Sequence, residues 1–165
     1  MPATSATVVY TDGACQGNPG PGGWAWAVAG PDGEAGGRFA SGAEPWTTNQ
    51  RMEVTAVLRA LEALPGPLEV MSDSTYVVNC FRQRWWAGWE RKGWRNAAGK
   101  PVANQDLWRP LVDEVRRRGD VGFAWVKGHA GDPLNDLVDR LAVEAATLQA
   151  GRSGPDAKRD GSGAP

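Results

Sequence analysis

TVVYTDG, Thr7 to Gly13, is the stretch on which the reading of the whole chain turns. Val8, Val9 and Tyr10 are β-branched or aromatic with no polar residue between them, so they predict a strand buried on both faces. The strand runs into Asp12, and Gly13 then lets the chain turn away without a side chain in the way. A carboxylate at the end of a buried strand stays charged only where a cation or hydrogen-bond donors meet it.

Outward from this strand, Gly17 to Gly23 (GNPGPGG) reads as a rigid turn, excluded from helix and from a central strand. Trp24, Trp26 and Val28 alternate with alanines through Ala29 and predict a second strand. After a turn at Gly30 to Gly33, Glu34 to Gly42 returns as an antiparallel third strand. Thr47 with Gln50 has capping-box spacing. Val54, Val57, Leu58, Leu61 and Leu64 follow at helical spacing until Pro65-Gly66-Pro67. Leu68 to Ser72 is a short buried strand ending at Asp73, and Ser74 to Phe81 a helix. Asn104 caps a further helix carrying Leu107, Leu111, Val112 and Val115, which Pro110 is expected to kink or delay. Val121 to Val126 is the last strand. Asp132-Pro133 opens a final helix, with proline at its first position, and Leu134, Leu137, Val138, Leu141 and Ala145 form its inner stripe.

This order predicts an α/β fold, a five-stranded mixed sheet, antiparallel first and parallel afterwards, with helices on both faces. Residues 1–150 read as one domain. From Gly151 the tail GRSGPDAKRDGSGAP is rich in Gly, Ser, Pro and charge without periodicity, and disorder over 151–165 is expected.

The 165 residues suffice for one domain with a real core, and their 41% hydrophobic content is ordinary for a globular protein. No apolar run approaches the roughly 20 residues of a membrane span, and the start MPATSATVVY lacks the pattern of a signal peptide. With no export signal and only Cys15 and Cys80, a cytoplasmic protein with free thiols is expected, and a monomer is the expected state. The net charge of −1 hides an uneven distribution. Between Arg82 and Lys100, Glu90 alone opposes Arg82, Arg84, Arg91, Lys92, Arg95 and Lys100, and Trp85, Trp86, Trp89 and Trp94 are interleaved with them. Tryptophans among arginines suit a nucleic-acid backbone.

Asp12 and Asp73 end strands, Glu53 lies in the first turns of a helix, and Asp139 follows inward-facing Val138. Parallel neighbouring strands bring their carboxyl ends to one sheet edge, where ligands bind in open α/β sheets. Four carboxylates gathered there repel one another unless divalent cations neutralise them, and oxygen-only ligation favours Mg2+ or Mn2+ over zinc. Each acid also has an innocent reading as a cap or surface residue.

TDGACQGNPGPGGW, TTNQRMEV, SDSTYV and VKGHAGDPLNDLVDRLA, in that order, resemble type 1 ribonuclease H of the bacterial ribonuclease HI kind, over about Thr7 to Leu148. The resemblance implies a ribonuclease H-like fold. It also implies that Asp12, Glu53, Asp73 and Asp139 bind two Mg2+ ions that hydrolyse the RNA strand of an RNA–DNA hybrid, leaving 5′-phosphate and 3′-hydroxyl ends. Two metals about 4 Å apart can clamp such an in-line displacement. His129, the only histidine, matches the family's flexible catalytic histidine and could relay a proton. Asn18, Asn49 and Gln50 match residues used in the minor groove, where 2′-hydroxyls separate RNA from DNA. Thr48 and Asn104 match its DNA-phosphate pocket, in which many relatives have an arginine where this chain has Trp46. The segment from Arg82 to Arg95 resembles its basic protrusion, with Trp85 and Trp89 toward the hybrid and Arg91, Lys92 and Arg95 toward phosphate. The rival readings are a junction resolvase or integrase-like nuclease, which lacks the GHAG loop and tryptophan segment, and a non-catalytic hybrid-binding module, against which the complete acid set argues.

Overall fold

The computed structural model describes residues 6–30, 35–128 and 131–155. In chain order the elements are β1 (Thr7–Cys15), β2 (Gly20–Ala29), β3 (Ala35–Thr47), α1 (Asn49–Ala63), β4 (Leu68–Ser72) and α2 (Thr75–Arg82). They continue with α3 (Trp85–Arg91), α4 (Gln105–Arg118), β5 (Val121–Trp125), α5 (Pro133–Leu148) and β6 (Ser153–Gly154). The strands form one sheet in the order β5-β4-β1-β2-β3-β6. β1, β4 and β5 are parallel neighbours, while β1 with β2 and β2 with β3 are antiparallel, as the sequence leads one to expect. Among the described residues no helix is long and apolar enough to cross a membrane.

Alternation along β1 serves two cores. Val9 joins a cluster with Val54, Val57, Val70, Trp108 and Leu111 on the α1/α4 face. Tyr10 joins Ala25, Ala27, Leu134, Val138 and Leu141 on the α5 face. Helices therefore cover both faces, which is why β1 carries large apolar residues in both directions.

Several local expectations are corrected. β1 does not end at Asp12: its pairing with β4 stops at Thr11↔Ser72, but its pairing with β2 continues through Cys15↔Gly22. Gly20 to Gly23 belong to β2, a central strand, and not to a turn. A Cβ on Gly22 would collide with the Thr47 side chain and one on Gly23 with the α5 backbone, so these glycines are close-approach positions and not breakers. The cap of α1 is Thr48, one residue later than expected, and Thr47 is the last residue of β3. Pro110 does not delay α4, which begins at Gln105 and contains it.

The five expected strands are joined by a sixth, the two-residue β6, antiparallel to β3 through Phe39↔Gly154 and Ala40↔Ser153. The tail is thus not disordered from Gly151. Ser41 N–H donates to the Arg152 carbonyl at 2.7 Å, and the Arg152 guanidinium meets Glu144 at 2.7 Å. Backbone pairing to an open sheet edge needs no hydrophobic sequence, so composition alone missed it. Residues 156–165 of the expected tail lie outside the described residues.

Candidate active site

Asp12 and Asp73 each follow the last parallel pair, Thr11↔Ser72, so register alone brings them side by side. Glu53 arrives from α1, and the helix can come this close because position 13 is glycine. A Cβ there would strike the Met52 and Glu53 backbone. The result is a cluster in which ligand oxygens of Asp12, Glu53 and Asp73 all lie within 4.8 Å of one another. Asp139, half-buried on α5, is not in that tight group, yet its charge is among those acting on Asp12.

Electrostatics of the cluster follow from burial. Asp12, 6% exposed, is pushed up to about 8, first by desolvation and next by the charge of Asp73, with the Gly13 N–H opposing at 2.8 Å and Asp139 and Glu53 adding to the rise. Glu53 is pushed up to about 7, chiefly by burial. The Ser74 hydroxyl at 2.9 Å and the Asn49 amide at 3.2 Å oppose this, while the charge of Asp73 adds to it. A group of acids that cannot all ionise unaided is compatible with binding a metal ion.

Other site residues surround these acids. The exposed Asn18 accepts from the Asn49 N–H at 2.9 Å, tying the loop after β1 to the start of α1. Thr48 accepts from Arg51 N–H as the α1 cap, and Gln50 is exposed beside it. Asn104 takes the N-cap position of α4 but makes no capping bond. Its side chain instead accepts from Arg51 at 3.3 Å and donates to the Tyr76 hydroxyl at 3.2 Å. His129 lies outside the described residues.

The basic segment divides into two kinds of residue. Trp85 and Trp89 are half-buried and pack against the core, Trp89 within 5.7 Å of both the Trp94 and Trp108 ring centres. Being half-buried, both rings pack on the core with part of their surface left to solvent. Arg91, Lys92 and Arg95 are exposed, and among the described residues none has a carboxylate partner, because Glu90 is taken by Arg116 at 2.9 Å.

Sequence reasoning missed four supporting residues. Ser74 both caps α2 and holds Glu53. Asn135, four residues before Asp139 on α5, donates to Asp73 at 3.4 Å. The Trp125 indole N–H donates to the Asp73 carbonyl at 3.2 Å. Arg51 reaches Asn104 and forks onto Asp106 at 2.8 and 2.9 Å. Ser74, directly after Asp73 at a helix start, was within reach of helix-pattern rules, whereas Asn135 meets Asp73 across 62 residues of chain, which no local rule gives.

The RNase H family model matches residues 4–147. A ribonuclease H of Moorella thermoacetica is 52% identical over 139 residues, covering 83% of this chain and 89% of its own. Ribonuclease HI of Caulobacter vibrioides is 48% identical over 143 residues, covering 86% of this chain and 93% of its own. Among solved structures, LC9-RNase H1, a type 1 RNase H, superposes with a TM-score of 0.80 at 31% identity, covering 99% of this chain and 83% of that one. With the acids of β1, α1 and β4 gathered at one sheet edge and this similarity running nearly end to end, the chain belongs to the RNase H family.

Proposed function

We propose that this chain is a metal-dependent endoribonuclease that hydrolyses the RNA strand of RNA–DNA hybrids, leaving 5′-phosphate and 3′-hydroxyl ends. The observation that carries the reading is the Asp12, Glu53 and Asp73 cluster at the carboxyl edge of the parallel strands. Its oxygen-only donors fit Mg2+, with Mn2+ as the substitute, and Asp12, Glu53, Asp73 and Asp139 are the residues that would hold two ions. When bound, the ions supply Lewis-acid stabilisation to the entering and leaving oxygens of an in-line phosphodiester displacement.

The chain's own residues do the rest. Asn49 and Ser74 hold the two oxygens of Glu53 in place, and Asn135 and Trp125 hold Asp73 by side chain and backbone. Asn18, Asn49 and Gln50, at the junction of the post-β1 loop and α1, present amides toward the minor groove, where ribose 2′-hydroxyls identify the RNA strand. Thr48 and Asn104 are assigned to a phosphate of the DNA strand, and Arg91, Lys92 and Arg95 to further backbone contacts. His129 is assigned proton relay on its place in the sequence. A cytoplasmic location belongs to the same reading, supported by the free thiols of Cys15 and Cys80.

Incubation with Mg2+ and end-labelled RNA–DNA hybrid, duplex RNA, duplex DNA and junction DNA tests the reading. Cleavage of the RNA in the hybrid alone is expected. Cutting of the junction would point to the resolvase-type alternative, and binding without cutting to a hybrid-binding module.

A further inference from the structure

Trp46, at the end of β3, is 71% exposed, the most exposed of the large apolar side chains among the described residues. Beside it lies a cavity of about 230 Å³ with Met52 and Leu107 as apolar lining and Glu44, Thr47 and Arg59 as polar lining. Thr47 is 3% exposed, and among the described residues its hydroxyl has no hydrogen-bond partner. A buried hydroxyl left in that state is rare and marks a place where a partner belongs.

The cations here are already engaged: Arg51 by the Asp106 fork and Arg59 by Glu62 at 2.6 Å, with the Glu44 carboxylate adding negative charge. A phosphate is therefore a poor occupant. What remains for a ligand is an indole face, an apolar floor and a few neutral and charged hydrogen-bonding groups, the chemistry that receives a nucleobase. The cavity adjoins the residues assigned to the DNA strand, since Arg51, which lines it, bonds to both Thr48 and Asn104.

We propose that Trp46 and this cavity form a subsite for an unpaired base of the DNA strand where that strand leaves the hybrid. The inference rests on the hybrid-cleaving function above and adds a substrate feature to it, a single-stranded DNA extension at one end.

The test measures equilibrium binding in EDTA, by fluorescence anisotropy, of a blunt hybrid, a hybrid with a short DNA overhang at either end, and the same overhang made abasic. The overhang should tighten binding roughly tenfold, within the range of one stacked base, at one end only. The abasic overhang should give no gain. The ratio of overhang to blunt affinity should fall to about one in Trp46→Ala and be partly retained in Trp46→Phe, both melting as the parent does. No gain from the overhang, or a gain that survives removal of the base or the indole, overturns the subsite. If the blunt hybrid is still cut with Mg2+, the function above stands without it. If the blunt hybrid is neither bound nor cut, both fall together.

Discussion

Ser74 and Glu53 are joined by a hydrogen bond in which the serine hydroxyl donates to the glutamate Oε1 at 2.9 Å, while the serine Oγ itself accepts the Val77 N–H and so caps α2. One side chain thus starts a helix and fixes an acid of the site. Two consequences follow for Ser74→Ala. Loss of the cap costs about 1 kcal/mol, a drop of about 2–4 °C for a chain of this length. Loss of the donor raises Glu53 above about 7, because the bond favours its charged form. Calorimetric titration with Mg2+ across pH should show the affinity profile displaced to higher pH. A lower melting temperature with an unmoved profile would leave Ser74 as a cap only.

In the absence of metal, stability should fall as pH rises. Asp12 and Glu53 titrate near 8 and near 7 in the folded chain, against ordinary values of 3.8 and 4.5. Over that interval the unfolded chain has released protons that the folded chain still holds. The stabilisation is therefore complete at acid pH and lost as pH climbs through the folded values. Melting in EDTA between about pH 5 and about pH 8 should show this decline, and Asp12→Asn should flatten it and melt above the parent at the alkaline end. A divalent cation should raise the parent's melting temperature most at that end. A metal-free curve rising with pH would contradict the electrostatics of the cluster.

Within the basic segment, stability and binding should separate by residue. Trp89→Ala removes a ring packed against Trp94 and Trp108 and should lower the melting temperature by several degrees. The triple change of Arg91, Lys92 and Arg95 to alanine should leave melting unchanged, raise KM for hybrid and flatten the salt dependence. Each lost phosphate contact removes about 0.9 from the slope for B-form duplex DNA. An unaltered slope in a folded triple variant would take the three cations off the substrate surface.

The chain end that docks on the sheet should matter for stability. Truncation after Gly151 removes β6 and the Arg152 contacts with Ser41 and Glu144. About 1–3 kcal/mol is expected for an edge strand of this size and a half-exposed ion pair. Arg152→Ala should reproduce only part of that loss, because the backbone bonds remain. Equal melting of truncated and full chains would show the pairing to be energetically idle.

Much of this was legible in the residues. β4 was readable to its ends, since Leu68, Val70 and Met71 lie in a five-residue stretch between Pro67 and Asp73 that is too short for a helix. The gathering of Asp12 and Asp73 followed from parallel strands, because register is a property of the backbone. The glycines of β2 were misread because a local rule treats glycine as punctuation, whereas here it makes room for Thr47 and α5, residues distant in sequence. Capping-box spacing favours Thr47, which has Gln50 three residues on, but β3 runs to its end at Thr47 and leaves the cap to Thr48. For Trp85 and Trp89, aromatic residues beside arginine carry no mark in the sequence of which neighbour they pack on. The structure shows that Trp89 packs on Trp108 of α4, a residue distant in sequence.

The claim on which everything else depends is that the gathered acids hold the metal that cleaves hybrid. Asp12→Asn compared with the parent, by Mg2+ titration calorimetry and by cleavage of labelled RNA–DNA hybrid on the same folded samples, addresses it in one experiment. The substitution removes the most buried charge of the cluster and relieves repulsion, so the variant should fold and melt at or above the parent's temperature. Its metal binding should be weakened and its hybrid cleavage lost. A folded Asp12→Asn chain that cleaves hybrid in Mg2+ at near the parent's rate would contradict the account.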